Sequence, residues 1–302
     1  MPGITLINFG RLLCFGFIVF CNIGLAECEL DRPIMFAELD WDSNRFHTAV
    51  AKHVIEHGYE CRVDGIPGST IPLLTALGRG VPGGVDIVME VWKDNVTEVW
   101  TRMERLGKVR ELRVNFPDAR QGWFIPKYVV DGDPARGIKA MAPKLKHVRE
   151  LKNYKHIFTD PEEPDKGRFY NCILGWSCEV VNSNKLVAYG LLPHYVNFRP
   201  GAAAALSAAI ASAYKRGKPI LAYYWSPTGL LGTYDMVQLD EPPFNQKDWE
   251  SLAKTRKNAT AYPAVKVVVA VNTKFYQQAP KLSQFLSHYQ TSTKIIKETL
   301  IN

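Results

Sequence analysis

The chain has few cysteines and only one long apolar run, and both features limit the class of protein to which it can belong. Six of its 302 residues are cysteine, and the apolar run LLCFGFIVFCNIGLA covers residues 12–26. This run is shorter than the ~20 residues that a membrane-spanning helix needs. With Arg11 before it and the small residues Gly24 and Ala26 at its end, the run is typical of a secretory signal peptide. We therefore predict that residues 1–26 are removed and that a soluble chain is exported to the periplasm.

The sequence also lacks the local signatures of common enzymes. It contains no G-x-S-x-G elbow and no G-x-x-x-x-G-K-[ST] phosphate loop, and LGRGVPGG is too irregular for a dinucleotide fingerprint. His53 and His57 lie one helical turn apart in HVIEH, but the glutamate is not placed as in the H-E-x-x-H zinc motif. These absences predict a protein that is not an enzyme and that holds no cofactor or metal.

The cysteines beyond the predicted signal are even in number, which in an oxidising compartment indicates two disulfides. Four cysteines allow three pairings, of which we favour Cys28–Cys61, flanking a strand–helix–strand unit, and Cys172–Cys178, closing a small loop. A zinc site is the alternative, but these spacings match no common zinc finger. Acylation of Cys28 in a lipoprotein is another, although the charged Glu27 stands where a small residue is wanted.

The formal net charge of +7 is compatible with binding to nucleic acid or to a membrane surface. Lysine and arginine are nevertheless scattered along the chain. The densest stretch, PKLKHVRELKNYKH (143–156), has helical spacing with its charges spread around it, which predicts a solvated basic helix around residues 138–152. We therefore expect a monomer that does not bind nucleic acid.

Strand and helix patterns alternate along the chain. IMFAELD (34–40) is typical of a strand, and the helical pattern after it has Asp42 or Ser43 as its N-cap and ends at Gly58. Similar units follow up to the strand KVRELRV, and AVKVVVAVN (264–272) is apolar enough for a strand buried on both faces. This alternation predicts an α/β fold with a mostly parallel sheet flanked by helices.

Five of the seven tryptophans stand at the ends of predicted strands, where open α/β sheets bind ligands. They are Trp41, Trp92, Trp123, Trp176 and Trp225. The face of each indole attracts a cation, above all a quaternary ammonium, by roughly 0.5–2 kcal/mol. Three or four rings would supply most of the ~8 kcal/mol of a micromolar complex. Core packing is the alternative for any single tryptophan, but five at strand ends together favour a cage for a methylated ammonium.

Four segments of the chain resemble a known family. FYNCILGWSCE, YYWSPTGLLGTYDMVQLDEP, EVWKDN and GWFIPKYV are similar to segments of the glycine betaine/choline-type substrate-binding proteins of ABC importers, and the likeness extends in order over nearly the whole predicted mature chain. The resemblance implies a two-lobed periplasmic-binding fold (type II) with the ligand in the cleft between the lobes. It also implies delivery to a membrane permease, without catalysis.

The resemblance assigns cage positions to Trp92, Trp176 and Trp225, whereas family members differ in how the cage is completed, here by Trp41 or Trp123. It also implies the Cys172–Cys178 pairing. A disulfide there would hold the loop that carries Trp176, while Pro227 would stiffen the turn after Trp225. Ordering a cage before binding lowers the entropic cost of the complex.

The carboxylate of a betaine needs donors, and two predicted helix starts offer free amides. One is DWDSN (40–44), with Asp42 and Ser43, and the other is WSCE (176–179), with Ser177 and Cys178. Asp42 either caps its helix or points into the cleft, where it would favour choline. Asn171 is a candidate hydrogen-bond partner for the polar end of the ligand.

Together these observations predict a periplasmic receptor for glycine betaine, with choline, trimethylamine N-oxide and carnitine as alternative ligands. One lobe is predicted from residues 28–120 plus 230–302 and the other from 121–229. A hydrolase of choline or betaine esters and a sensory module for the same ligand are the alternative classes.

Overall fold

The computed structural model describes residues 28–301, so the predicted signal peptide lies outside the described residues. The strands are β1 (Ile34–Leu39), β2 (Val63–Gly68), β3 (Ile87–Val91), β4 (Val109–Pro126), β5 (Gly167–Tyr170), β6 (Tyr195–Phe198), β7 (Leu221–Ser226), β8 (Met236–Gln238) and β9 (Val265–Asn272). The α-helices are α1 (Asp42–Gly58), α2 (Thr70–Arg79), α3 (Thr97–Arg105), α4 (Lys127–Asp131), α5 (Ser177–Ala188), α6 (Ala203–Lys215), α7 (Gly229–Thr233), α8 (Gln246–Thr255), α9 (Thr273–Gln278), α10 (Pro280–His288) and α11 (Thr293–Ile301).

All nine strands join one twisted path in the order β2-β1-β3-β9-β4-β7-β5-β6, with β8 paired to β4. The long strand β4 belongs to both ends of this path: residues 109–119 pair with β9, and residues 120–124 pair with β7. The path therefore divides at β4 into a first half, β2-β1-β3-β9, and a second half, β7-β5-β6 with β8. The α/β two-lobed class predicted from the sequence is confirmed.

The sheet is mixed in strand direction. Strands joined through helices run parallel, as β1 does with β2 and β3, and as β5 does with β6 and β7. Strand β9 runs antiparallel to β3 and to β4, and β4 runs antiparallel to β7, because these strands carry the chain between the two halves. Strand β9 is buried at every position except Lys266, as its apolar run predicts.

The predicted basic helix around residues 138–152 is wrong. Only Val148–Asn153 is helical there, as a short 3-10 turn. The backbone before it pairs instead with the segment that follows β8: Val148 donates to the Asp240 carbonyl, and Asp240 donates to the Lys146 carbonyl. Pro143 also removes a backbone donor inside the predicted helix. Tertiary pairing thus replaces the local helical bonds.

Elements that follow β7 contact the second half of the molecule. Strand β8 pairs with the end of β4, and helix α8 packs on α5. The buried Lys185 ammonium of α5 lies 2.6 Å from Glu241, which follows β8, and 3.9 Å from the ring centroid of Tyr262, which follows α8. These partners stand on opposite sides of the boundary predicted at residues 229/230, which stays a prediction.

Both predicted disulfides are present in the described chain. Cys28 pairs with Cys61, and Cys172 pairs with Cys178. Between residues 28 and 301, no helix is both long enough and apolar enough to cross a membrane.

Candidate ligand-binding site

Four of the five strand-end tryptophans come together between the two halves of the sheet. From the first half, Trp41 lies two residues after the end of β1 and Trp92 directly follows β3. From the second half, Trp225 lies near the end of β7, and Trp176 is the N-cap residue of α5, shortly after β5. Because β1 and β3 are parallel, and β5 and β7 are parallel, their carboxyl ends open toward one cleft, which the sequence argument required.

The rings of these four tryptophans form a compact group. The Trp176 centroid lies 5.6 Å from that of Trp41 and 5.1 Å from that of Trp225, with ring planes 82° and 83° apart. The four indoles line a cavity of about 40 Å³. We call this group and its cavity the cage. Its other lining residues are Leu39, Thr70, Leu73, Leu74, Val88, Glu90, Val91, Asn95, Ser177, Cys178 and Tyr223.

The loop before Trp176 approaches the first half of the molecule closely. Gly175 has φ +94°, and a Cβ there would lie 2.7 Å from the Ser69 side chain, which is the N-cap of α2. The Trp176 indole N–H donates to Asp40 at the end of β1, over 2.6 Å. The glycine and the tryptophan of GWSCE therefore both make contacts between the halves.

A buried carboxylate lies beneath the cage, and the sequence argument missed it. One oxygen of Glu90, Oε2, accepts hydrogen bonds from the indole of Trp41 (2.7 Å), the hydroxyl of Ser43 (3.2 Å) and the indole of Trp92 (3.4 Å). The sequence signal for it was a glutamate inside the otherwise apolar IVMEVW (87–92). Glu90 therefore holds two rings of the cage in place.

Glu90 faces a buried histidine on its other side. His47 Nε2 lies 3.6 Å from Glu90 Oε1, and both side chains are fully buried. Burial raises the pKa of Glu90 to about 7, although its hydrogen bonds act to lower that pKa. Burial lowers the pKa of His47 to about 4. Near neutral pH, Glu90 is therefore part ionised and His47 is uncharged.

The first turn of α5 forms the polar wall of the cage. Ser177 and Cys178 both line the cavity, and Cys178 is the residue that the disulfide ties to Cys172. The free amides of a helix start attract anions. Ser177 and Cys178 of WSCE thus lie at the cavity, and their binding of a carboxylate stays a prediction.

The other predicted helix start behaves differently. The N-cap residue of α1 is Trp41, and no side chain caps this helix, so the expectation that Asp42 or Ser43 caps it is wrong. Asp42 is exposed and lies 4.0 Å from Arg45, while Ser43 turns inward to Glu90. Asp42 does not cap the helix, because Trp41 before it occupies the cap position. Asp42 also lies outside the cage lining.

Two residues predicted to bind ligand lie in the core instead. Trp123 is fully buried, packs 4.3 Å from the Phe169 ring centroid and donates its indole N–H to Asn182. Asn171 is also fully buried, and its amide bonds α5 and Asn197. Trp123 shares a sheet face with Tyr223 but lies beside Phe169 and Tyr189, outside the cage lining, which sequence spacing does not reveal. Tyr223, two residues before Trp225 on the same strand face, lines the cage in its place.

Comparison with known proteins identifies the family of the chain. The family model for the substrate-binding domain of ABC-type glycine betaine transport systems matches residues 32–300. The glycine betaine/proline betaine-binding periplasmic protein of Escherichia coli (strain K12) is 32% identical over 111 residues. That match spans 36% of this chain and 30% of the relative, so it covers about a third of the relative's length.

Solved structures share the fold at low sequence identity. The glycine betaine, L-proline ABC transporter binding protein of Borrelia burgdorferi is 19% identical, with a TM-score of 0.66 over 89% of this chain and 86% of that chain. A choline-binding protein of an ABC transporter, solved with choline, is 16% identical, with a TM-score of 0.66 over 89% and 81%. Because the family model covers nearly all of the described residues, this chain belongs to the family of substrate-binding domains of ABC-type glycine betaine transport systems.

Proposed function

We propose that this protein is a periplasmic receptor that binds glycine betaine, or a closely related quaternary amine, in the cage and delivers it to an ABC permease. The observation that carries the proposal is the convergence of Trp41 and Trp92 from the first half with Trp176 and Trp225 from the second half on one cavity. A ligand that touches both halves stabilises the closed arrangement of the molecule.

The size of the cavity suits a methylated nitrogen. A water molecule needs roughly 10–15 Å³, so 40 Å³ corresponds to about three waters. A trimethylammonium group presents three methyl groups of similar size. Four indole faces at roughly 0.5–2 kcal/mol each would supply about 2–8 kcal/mol, a large share of a micromolar affinity.

The polar wall favours a ligand that also carries a carboxylate. Ser177 and Cys178, at the start of α5, line the same cavity as the rings, so a short zwitterion such as glycine betaine would meet the rings and the helix start at once. Choline, trimethylamine N-oxide and carnitine share the methylated nitrogen and are the competing ligands. The predicted signal peptide and the two disulfides support a periplasmic location.

Calorimetric titration with these four compounds tests the proposal. We expect glycine betaine or one of its three competitors to bind, and Trp176→Ala and Trp225→Ala each to weaken that binding by at least about 1 kcal/mol, or about fivefold in Kd. Trp249→Ala is the matched control, since Trp249 lies outside the cage lining. Full affinity in both cage variants would refute the cage, and product released from a choline ester would identify a hydrolase instead.

A further inference from the structure

The carboxylate of Glu90 is only half satisfied. Its Oε2 receives the hydrogen bonds of Trp41, Ser43 and Trp92, whereas its Oε1 has no hydrogen-bond partner. The nearby His47 Nε2 has none either, although the two atoms lie 3.6 Å apart. A buried polar atom without a partner is costly, so this arrangement needs an explanation.

The groups around Glu90 leave its charge uncompensated. From α1 it meets His47, whose other nitrogen is 2.8 Å from the hydroxyl of Tyr289, the residue after α10. The ring of Phe116, on β4, packs against both His47 and Trp92. The titratable groups that face Glu90 are thus a histidine held neutral by burial and a tyrosine whose pKa burial raises. Neither carries a positive charge near neutral pH.

We propose that Glu90 is a specificity-determining residue, whose ionised carboxylate supplies the counter-charge for a quaternary ammonium bound in the cage. In the free receptor Glu90 holds a proton for part of the time. Binding of the cation breaks that O–H bond, leaves the electron pair on the carboxylate and releases the proton to the solvent. The inference deepens the proposed function and rests on it, because it needs a cation in the cage.

The charge requirement separates two ligands of the same shape. Choline and 3,3-dimethylbutan-1-ol differ by the replacement of the charged nitrogen with a neutral carbon. Only choline gains from an ionised carboxylate beneath the rings. The neutral alcohol should bind more weakly and should not displace a proton.

The sign of the pH dependence follows from linkage. Burial places the pKa of Glu90 near 7 in the free receptor, and a bound cation lowers it. Affinity for choline should therefore rise with pH through the range below about 7 and become constant above about 8. At pH 6 roughly one receptor in ten has Glu90 ionised, so Kd should be about tenfold weaker at pH 6 than at pH 8. Choline itself has no group that titrates in this range.

Proton release is the direct test. Wild-type protein is titrated with choline at pH 6, 7 and 8 in phosphate and in imidazole buffer, whose ionisation enthalpies differ. We expect nearly one proton released per choline at pH 6, about half at pH 7 and almost none at pH 8. A constant Kd with no proton release across this range would overturn the inference while leaving the cage intact. Absence of binding by choline and by glycine betaine at every pH would overturn the proposed function as well.

Two variants separate charge from mere support of the rings. Glu90→Gln keeps an oxygen that can accept the indole N–H of Trp41 but cannot ionise, so proton release should vanish and the advantage of choline over the neutral alcohol should fall to the part that the indole faces supply. Ser43→Ala removes a hydrogen bond that lowers the pKa of Glu90, so the midpoint of the pH profile should move to higher pH. An unchanged midpoint of the pH profile in Ser43→Ala, together with unchanged proton release in Glu90→Gln, would contradict the proposed role of Glu90. Should Glu90→Gln fail to fold, the wild-type proton count still decides.

Discussion

The tryptophans of this chain have different roles because their neighbours differ. Trp225 contacts Trp176 and Tyr223 at the cleft, whereas Trp123, four positions along from the point where β4 changes partner, lies between Phe169 and Tyr189 in the second half. Both are almost completely buried. Burial alone therefore does not distinguish a ring kept for a ligand from a ring kept for packing.

Replacement of Trp123 by phenylalanine should lower stability without lowering affinity. The change removes the 2.8 Å hydrogen bond to the buried Asn182 oxygen and leaves space beside Phe169. We expect the free energy of unfolding in urea to fall by about 1–3 kcal/mol. Trp225→Phe is the matched comparison and should mainly weaken ligand binding. Loss of affinity in Trp123→Phe at an unchanged stability would contradict the assignment of this ring to the core.

The strands and the helix around the cage begin or end next to the cage tryptophans. Strands β1 and β3 stop one or two residues before Trp41 and Trp92, and α5 starts directly after Trp176. The Cys172–Cys178 disulfide joins the loop before Trp176 to the first turn of α5. Cys28–Cys61 lies elsewhere and joins the start of the described chain to the segment before β2. The two bridges therefore have separable consequences.

Removal of each bridge by paired cysteine-to-serine changes should show this separation. The 33-residue spacing of Cys28–Cys61 gives a larger loop-closure entropy, so its loss should cost about 4 kcal/mol of stability, against about 2 kcal/mol for the six-residue spacing of Cys172–Cys178. Loss of Cys172–Cys178 should instead weaken ligand binding, because the loop that carries Trp176 is then ordered only on binding. Thermal unfolding and calorimetry measure the two effects. The opposite ranking of affinities would refute the preorganising role.

At the scale of the whole molecule, contacts of Trp176 join the two halves. The 2.6 Å bond from the Trp176 indole to Asp40 joins the loop before α5 to the end of β1, next to the T-shaped contact of Trp176 with Trp41. The chain passes between the halves in β4 and in the segment that leads into β9. Such a pair of crossing segments is suited to hinge motion.

Asp40→Ala should loosen the closed state. The variant loses the acceptor for the Trp176 indole while the cage rings remain, so the ligand dissociation rate should rise several-fold and thermal stability should change little. Stopped-flow tryptophan fluorescence measures the rate. Asp42→Ala is the control, since Asp42 is exposed and outside the cage lining. Equal rates in Asp40→Ala and wild type would show that this bond does not hold the closed state.

The sequence by itself determined the α/β alternation and the group of tryptophans at strand ends, because these depend on local periodicity. It favoured the two disulfide pairs that the structure contains but left the other pairings open. The missing helix at 138–147 and the place of β8 and α8 depend on long-range pairing with Asp240 and α5. Local propensity carries no information about such partners.

Only the tertiary structure decided which strand-end residues face the cleft. Trp123 and Trp225 lie on the same face of two paired strands, since Trp123 is opposite Tyr223 and Trp225 is opposite Gln121. Trp123 nevertheless packs against Phe169 and Tyr189 in the core, whereas Trp225 lines the cage, so the neighbouring elements and not the sheet face separate the two rings. Glu90 could not be found from the sequence, because only the folded chain brings Trp41, Ser43, His47 and Trp92 around one carboxylate. Sequence spacing predicts where a strand ends, but the register of its neighbours decides what its last side chains touch.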